Sequence, residues 1–263
     1  MRAAVLGSPI AHSLSPALHR AAYRELGLDW SYDAIECDEA GLPAFVDSLD
    51  EAWAGLSLTM PLKRAVLPLL DEMSEIATST GVANTVLRRD GRKRGDNTDV
   101  DGVVAALRDV GVDRVRSVSV LGAGATAVSA LAAARELGAR DARIVARSQE
   151  RAQPAVEAAD RIGLFADYDT WPGSDKAWRA ELVVSTVPTG AAEAVGADHP
   201  WPGALLDVVY APWPTPLAAA ASAAGVVVAS GLAMLLHQAA RQVELMTGQP
   251  APLAAMRAAL PPP

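Results

Sequence analysis

The chain has 263 residues, of which 51% are hydrophobic and 21% are charged, and its formal net charge is −8. This composition is typical of a globular protein and excludes a disordered chain, and the length suits one large domain or two small ones. The negative charge argues against nucleic acid and anionic membranes as partners, because it repels phosphate groups. Cys37 is the single cysteine, so an intrachain disulfide is excluded.

No signal peptide is expected, because the apolar run at the N-terminus is too short for one. No apolar stretch reaches the roughly 20 residues that a bilayer-spanning helix needs. We therefore expect a cytoplasmic protein.

Short apolar runs alternate with helical patterns along the chain, which indicates βα units and an α/β fold with mostly parallel sheets. Ser15 and Pro16 predict the start of a helix, with Ser15 as its N-cap. The pair Asp90-Gly91 predicts a tight hairpin turn. The elements predicted in the first part are strands at 2–6, 31–36, 54–58, 82–88 and 93–97 and a helix at 15–26.

After a connecting helix at about 98–110, a strand, a glycine turn, an alanine-rich helix and another strand form a complete βαβ unit. The strands predicted in this second part are 117–121, 142–146, 182–185, 205–209 and 226–228, and one helix ends near 137 while another spans 232–246. No long linker separates the two parts. The domain boundary is therefore expected within a helix.

The turn from Gly122 to Ala127 is a candidate nucleotide site. Gly122 and Gly124 permit the backbone to approach a pyrophosphate closely at a helix N-terminus. The third glycine of the usual fingerprint is absent, and such glycine pairs also occur in ordinary turns. The strand before the turn and the helix after it favour the nucleotide site.

The end of the next predicted strand indicates which dinucleotide would bind. An NAD enzyme places an acid there against the ribose hydroxyls, whereas this chain has Ala146-Arg147-Ser148, followed by Arg151. Guanidinium groups suit a 2′-phosphate, which predicts NADP. The alternative is that Arg147 and Arg151 form a solvated helix start.

Small polar residues follow the strands of the first part, where open α/β sheets bind their ligands. Ser13 and Ser15 place two hydroxyls before a helix N-terminus, which can hold a carboxylate; alternatively they are a turn residue and an N-cap. Lys63, after Thr59, falls in the first turn of a helix, where the positive end of the dipole disfavours a cation. That placement suits acid/base chemistry, and an exposed surface lysine is the alternative.

Asn84 and Asp99 bracket the predicted hairpin and lie beside one another if its strands pair. A lysine and an aspartate near one substrate hydroxyl form a suitable pair for proton transfer, which assigns Lys63 and Asp99 to that role. The alternative role of Asp99 is to cap the following helix.

These motifs, in this order, resemble those of the shikimate dehydrogenases over most of the chain. The segment Ser13-Leu14-Ser15-Pro16 is similar to the family's substrate-carboxylate motif, and Thr59 to Lys63 is similar to its catalytic-lysine motif. Further similarities are Asn84, Asp99, Asp207 to Pro212 and Gly231 to Gln238. Six ordered motifs are jointly specific, although each is weak alone.

The resemblance implies roles for these residues. Lys63 and Asp99 are the implied catalytic pair, and Tyr210 and Gly231 lie near the nicotinamide. The expected substrate-binding residues are Ser13, Ser15, Thr59, Asn84, Asp99 and Gln238. The expected cofactor-binding residues are Gly122, Ala123, Gly124, Ala125, Thr126, Arg147, Ser148, Arg151, Tyr210 and Gly231.

The implied activity is the reversible, NADP-dependent reduction of 3-dehydroshikimate to shikimate, in aromatic amino acid (chorismate) biosynthesis. The implied domains are a substrate domain of residues 1–99 with 235–263, on which the last long helix packs, and a Rossmann-type NADP domain of residues 100–234. The alternatives are a quinate or aminoshikimate dehydrogenase on the same scaffold, and a non-catalytic sensor of a metabolite and a nucleotide. The expected partner is the small-molecule substrate; a homodimer is considered, and no metal ligand set is recognised.

Three positions depart from the family pattern. Ser57 and Ala146 stand where asparagine is common, and Arg20 follows His19 where asparagine is usual. Ser57 puts one substrate contact in question. Ala146 removes a polar contact to the adenosine, which would relax the affinity for the cofactor or the preference between cofactors, although Arg147 and Arg151 remain.

Overall fold

A computed structural model describes residues 1–192 and 199–261 of the chain. Its first elements are β1 (Arg2–Gly7), α1 (Ser15–Glu25), β2 (Ser31–Glu36), α2 (Leu42–Asp47), β3 (Trp53–Leu58), α3 (Leu62–Ala65), a 3-10 turn (Leu67–Leu69), β4 (Glu72–Met73), α4 (Glu75–Thr80), β5 (Thr85–Arg89), β6 (Arg92–Asp96) and α5 (Asp99–Asp109). The following elements are β7 (Ser117–Leu121), α6 (Ala125–Glu136), β8 (Asp141–Ala146), α7 (Gln149–Arg161), β9 (Phe165–Thr170), α8 (Asp175–Trp178), β10 (Leu182–Ser185), β11 (Ala204–Asp207), α9 (Pro216–Ala223), β12 (Val227–Ser230), α10 (Gly231–Thr247) and α11 (Leu253–Ala258).

The chain divides into two compact units. The first comprises Met1–Gly102 and Leu235–Pro263, and the second comprises Val103–Met234. The chain passes from the first unit to the second within α5 and returns within α10. Each passage therefore lies inside a helix.

The first unit contains a six-stranded sheet in the order β2-β1-β3-β5-β6-β4. β1 runs parallel to β2 and β3, and β4 runs parallel to β6, whereas β5 is antiparallel to both β3 and β6. Asp90 and Gly91 join β5 to β6 with φ angles of 50° and 79°. Two consecutive positive φ angles are what a two-residue hairpin turn requires, so the predicted turn is confirmed.

Alternate side chains of β1 fill the cores on the two faces of this sheet. Ala3 and Val5 belong to one cluster, and Ala4 and Leu6 belong to the other. The first cluster is completed by buried residues of α1, α10 and α11, and the second by residues of α2, α3 and α4. The C-terminal helices therefore pack on the N-terminal sheet, as the resemblance implied.

The second unit contains six parallel strands in the order β12-β11-β10-β7-β8-β9. From β7 the chain builds outward through β8 and β9, and from β10 it builds in the opposite direction through β11 and β12. The switch point between β7 and β10 is where ligands bind in doubly wound sheets, beyond the carboxyl ends of the strands. The predicted α/β class with mostly parallel sheets is confirmed.

The predicted strands are present, with ends shifted by up to three residues. The N-cap prediction for Ser15 is wrong. Helix α1 begins at Ser15 because the preceding Leu14 already has helical angles (φ −87°, ψ −5°), and no side chain caps the helix. Among residues 1–192 and 199–261, no helix is long and apolar enough to cross a membrane.

Candidate active site

Lys63 and Asp99 form a close ion pair in the first unit, with Nζ 2.5 Å from Oδ2. The two side chains are only 12% and 5% exposed. Lys63 lies in the short helix α3 after β3, and Asp99 is the first residue of α5, where the helix dipole favours a carboxylate. The pair is therefore held largely away from water, in a position to exchange a proton with a bound hydroxyl group.

Asn84 joins the second oxygen of this carboxylate to the C-terminal helix α10. Its Nδ2 donates to Asp99 Oδ1 at 2.8 Å and to Gln238 Oε1 at 3.3 Å. Its Oδ1 accepts the backbone N–H of Thr98 at 2.8 Å. Because a backbone N–H can only donate, this bond fixes which end of the amide faces Asp99.

Main-chain bonds hold the two segments of this cluster in place. The N–H of Ala83 donates to the carbonyl of Lys63 at 2.9 Å, and the N–H of Leu58 donates to the carbonyl of Asn84 at 2.7 Å. The N–H of Asn84 donates to the carbonyl of Asp96 at 3.0 Å. The end of β3 and the hairpin are thus tied together, so the positions of the lysine and the asparagine are set by the backbone.

Thr59 follows β3 and lies beside the loop that follows β1. Its N–H donates to the carbonyl of Leu6 at 2.9 Å, and the N–H of Ser8 donates to the carbonyl of Met60 at 3.0 Å. Gly7 is required at this approach, since a Cβ there would collide with the methyl group of Thr59. The loop leading to Ser13 therefore starts against the segment leading to Lys63.

Ser13 and Ser15 lie at the start of α1, where Ser13 Oγ accepts the N–H of Ser15 at 3.3 Å. Ser15 is buried and Ser13 is half-buried. The carbonyl of Ser15 accepts from His19 Nδ1 at 3.0 Å, and the imidazole stacks on Tyr32 with 3.9 Å between ring centroids. Burial lowers the pKa of His19 to about 4, so its ring is neutral at pH 7 and is a packing group.

The glycine turn of the second unit follows β7 at the switch point of its sheet. Gly122 has a φ of 109°, and a Cβ there would collide with the hydroxyl of Thr186, which follows β10. At Gly124, directly before α6, an added Cβ would meet nothing within 4 Å. This open backbone before a 12-residue helix fits a pyrophosphate, and Ala125 and Thr126 form the first turn of that helix.

A cavity of about 500 Å³ extends from this turn to the end of β8. Arg147 and Arg151 are exposed and line it, together with Trp171. Ser148 caps α7 by accepting the N–H of Arg151 at 3.3 Å. The full lining comprises Gly122, Ala123, Gly124, Val145, Ala146, Arg147, Arg151, Trp171, Thr186, Val187, Pro188 and Ala191. Two cations facing one cavity suit a 2′-phosphate better than a solvated helix start alone.

Tyr210 follows β11, and Gly231 follows β12. Among the lining residues that the structure describes for this cavity, neither of them is present. A side chain at Gly231 would collide with the carbonyl of Val208, so only glycine fits there. Burial raises the pKa of Tyr210 above its usual value.

The structure thus joins Lys63, Asn84, Asp99 and Gln238 by direct bonds and places the glycine turn with both arginines around one cavity. The sequence reading missed Thr98, which orients Asn84, and Trp171, which lines the cavity. Among the described ranges, no group of three or more His, Cys, Asp or Glu side chains could hold a metal ion.

Comparison with known proteins identifies the family. The model of the shikimate dehydrogenase substrate-binding domain matches residues 5–86, and that of the shikimate 5'-dehydrogenase C-terminal domain matches residues 231–260. A relative from Methanothermobacter thermautotrophicus, named shikimate dehydrogenase (NADP(+)), is 36% identical over 97% of this chain and 94% of its own. The chain belongs to the shikimate dehydrogenase family.

Solved structures of shikimate dehydrogenases agree with this assignment. The crystal structure of Mycobacterium tuberculosis shikimate dehydrogenase has a TM-score of 0.91 and 45% identity, with 98% of each chain covered. Shikimate 5-dehydrogenase from Thermus thermophilus, in complex with NADP(H) and shikimate, has a TM-score of 0.86 and 37% identity and covers 99% of this chain and 100% of its own. The match to the family is therefore global.

Proposed function

We propose that this chain is an NADP-dependent shikimate dehydrogenase, which reversibly reduces 3-dehydroshikimate to shikimate in aromatic amino acid biosynthesis. The observation that carries the proposal is the buried Lys63–Asp99 pair, bonded through Asn84 to Gln238. Membership of the family supports the same activity. A non-catalytic sensor would have no use for a buried proton-transfer pair.

Lys63 is assigned as the group that donates and accepts the proton transferred in the reaction. NADPH, when bound, supplies the hydride. In the reduction, Nζ donates a proton to the carbonyl oxygen of the substrate, and in the oxidation it receives the hydroxyl proton. The carboxylate of Asp99 holds the amine in place by its 2.5 Å contact, in a site with little exposure to water.

The remaining polar residues of the first unit are assigned to substrate binding. The hydroxyl groups of Ser13 and Ser15, at the start of α1, would donate hydrogen bonds to the substrate carboxylate. Thr59, Asn84 and Gln238 would bind the ring hydroxyls, which orients the reacting carbon. Because these groups lie on the first unit alone, we assign residues 1–99 and 235–263 to the substrate domain.

The second unit is assigned to NADP. The backbone from Gly122 to Thr126 would hold the pyrophosphate at the start of α6, and Arg147, Ser148 and Arg151 would hold the 2′-phosphate. Tyr210 and Gly231 are proposed to contact the nicotinamide part. We assign residues 100–234 to this domain.

The deciding experiment measures the absorbance of reduced cofactor with purified protein in four combinations, shikimate or quinate with NADP or NAD. Rapid turnover of shikimate with NADP, and slow turnover of the other three, is the expected result. If quinate is the single substrate that turns over, the substrate assignment is replaced, and if NAD is the single cofactor that supports turnover, the cofactor assignment is replaced. The assignment of the fold stands in both cases. Shikimate binding without any turnover would support the sensor instead.

The proposed enzyme acts in the cytoplasm and is a candidate homodimer. Light scattering coupled to gel filtration measures the mass directly, and a mass near 27.3 kDa would identify a monomer instead.

A further inference from the structure

A chain of hydrogen bonds runs through the buried interior of the first unit and ends at the candidate active site. Tyr32 Oη donates to Ser57 Oγ at 2.6 Å, and Ser57 Oγ donates to Gln242 Oε1 at 2.8 Å. Gln242 Nε2 donates to Thr85 Oγ1 at 3.0 Å, and Thr85 Oγ1 donates to Asn84 Oδ1 at 2.8 Å. All five side chains are at most 4% exposed, so water does not substitute for these bonds.

The direction of donation along this chain is fixed. Asn84 Oδ1 must face the backbone N–H of Thr98, and Gln242 Nε2 must face the backbone carbonyl of Asn84, which lies 3.4 Å away. The hydroxyl of Thr85 accepts from Gln242, so its single proton points to Asn84. Donation therefore runs one way, from Tyr32 to the carboxylate of Asp99.

Gln242 reaches this chain from α10 and stands between two partners on adjacent strands. Ser57 of β3 and Thr85 of β5 are directly opposite in the antiparallel register. Such partners lie close enough for a side-chain amide to bond both. The amide that bonds Ser57 therefore comes from a residue 185 positions later in the chain.

We infer that Gln242 is a positioning residue for the proposed dehydrogenase reaction. By holding Thr85 as a second donor to Asn84 Oδ1, beside the backbone N–H of Thr98, it restrains the Asn84 amide that bonds Asp99, which in turn holds Lys63. Gln242 contacts neither of the catalytic side chains. Its contribution is the orientation of the groups that meet the reacting hydroxyl.

The test compares Gln242→Ala with Val243→Ala, a neighbour in the same helix that is fully buried in the apolar core. This inference rests on the proposed function, so the unsubstituted protein is assayed alongside. We expect Gln242→Ala to lower kcat for shikimate oxidation about tenfold while KM rises only about twofold, because the carboxylate contacts of Ser13 and Ser15 are untouched and only the ring contact of Asn84 is weakened. Val243→Ala should lower Tm by about as much as Gln242→Ala does, and it should leave kcat unchanged.

A rescue variant separates orientation from packing. Ser57→Asn combined with Gln242→Ala places an amide directly opposite Thr85, and we expect it to recover most of the lost kcat. If Gln242→Ala does not fold, Gln242→Met keeps the length without the amide and should show the same loss of kcat.

Two results would overturn the inference. The first is a Gln242 variant with unchanged kcat and a Tm lowered as in Val243→Ala, and the second is a double variant no better than Gln242→Ala alone. Absence of turnover in the unsubstituted protein would instead overturn the proposed function, and with it this inference, so the two failures are distinguishable.

Discussion

The two candidate sites differ in how far their side chains are buried and bonded in the absence of a ligand. In the first unit, Asn84 and Asp99 are buried and are bonded to their neighbours. In the second unit, Arg147 and Arg151 are exposed along a cavity, beside a turn in which Gly122 and Gly124 leave the backbone bare. The first site is organised before its ligand arrives, as proton transfer requires, whereas the second offers charge and open backbone that a phosphate can approach.

Removing the amine of Lys63 tests the organised site most severely. We expect Lys63→Ala to lower kcat about 1,000-fold, since acid/base groups contribute on this scale, while calorimetry still detects shikimate binding. Lys93→Ala is the control, because Lys93 makes a surface ion pair with Asp47 at 3.5 Å. Equal activity of the two variants would remove Lys63 from the mechanism.

Protonation of His19 tests whether burial of this side chain near the organised site lowers the free energy of unfolding at acidic pH. Its pKa in the folded protein is about 4 against 6.5 in the unfolded chain, so the unfolded chain binds the extra proton between these values. This contribution to the free energy of unfolding is complete above pH 6.5 and falls by about 3 kcal/mol as the pH drops to 4, at about 1.4 kcal/mol per pH unit.

Denaturant titrations at pH 7 and pH 4.5 measure this loss. His19→Phe keeps a ring to stack on Tyr32 and should lose less stability over that interval than the unsubstituted protein. Identical pH dependence of the two proteins would show that His19 does not titrate as stated.

Alanine substitutions at the two glycines of the turn test how open its backbone is. Gly122→Ala meets the hydroxyl of Thr186 at a positive φ, so we expect a loss of about 2 kcal/mol in stability and weaker NADP binding. Gly124→Ala meets nothing within 4 Å and should keep the stability of the protein without ligand. Equal melting temperatures for both variants would contradict this difference.

The exposed cations have the smallest expected effect. Arg147→Ala should weaken NADP binding about tenfold, or about 1.4 kcal/mol, and change NAD binding little, because only NADP carries the 2′-phosphate. Fluorescence titration with each cofactor measures both affinities. Arg140→Ala, an exposed arginine before β8, is the matched control. A parallel loss for both cofactors would assign Arg147 to another part of the ligand.

Local patterns in the sequence predicted the central strands and both glycine-bearing turns, because apolar runs and Asp-Gly or Gly-x-Gly pairs act over a few residues. They did not predict β9, whose Phe165–Thr170 segment carries two aspartates and lies at the sheet edge. The N-cap error at Ser15 arose because Leu14 takes helical angles without any side-chain signal.

The sequence predicted that Asp99 lies beside Asn84 and pairs with Lys63, and the structure shows both contacts, but the bonds that extend from Asn84 to Gln242 were not predicted. Lys63, Asn84 and Asp99 stand in recognisable motifs, so the sequence indicated them. The bond between Ser57 and Gln242 joins residues 185 positions apart, and a local pattern carries no information about it. The contribution of α10 to the orientation of Asn84 therefore emerges only from the folded sheet and helix together.

The packing of α10 and α11 on the N-terminal sheet has a consequence for synthesis on the ribosome. Ala3 and Val5 share their core with Leu236 and Val243, so the N-terminal unit cannot cover that face until the last part of the chain has been translated. The Val103–Met234 unit, by contrast, is complete in sequence before then. A nascent chain therefore carries an apolar sheet face that only α1 covers in part for most of its elongation, the kind of surface that chaperones bind.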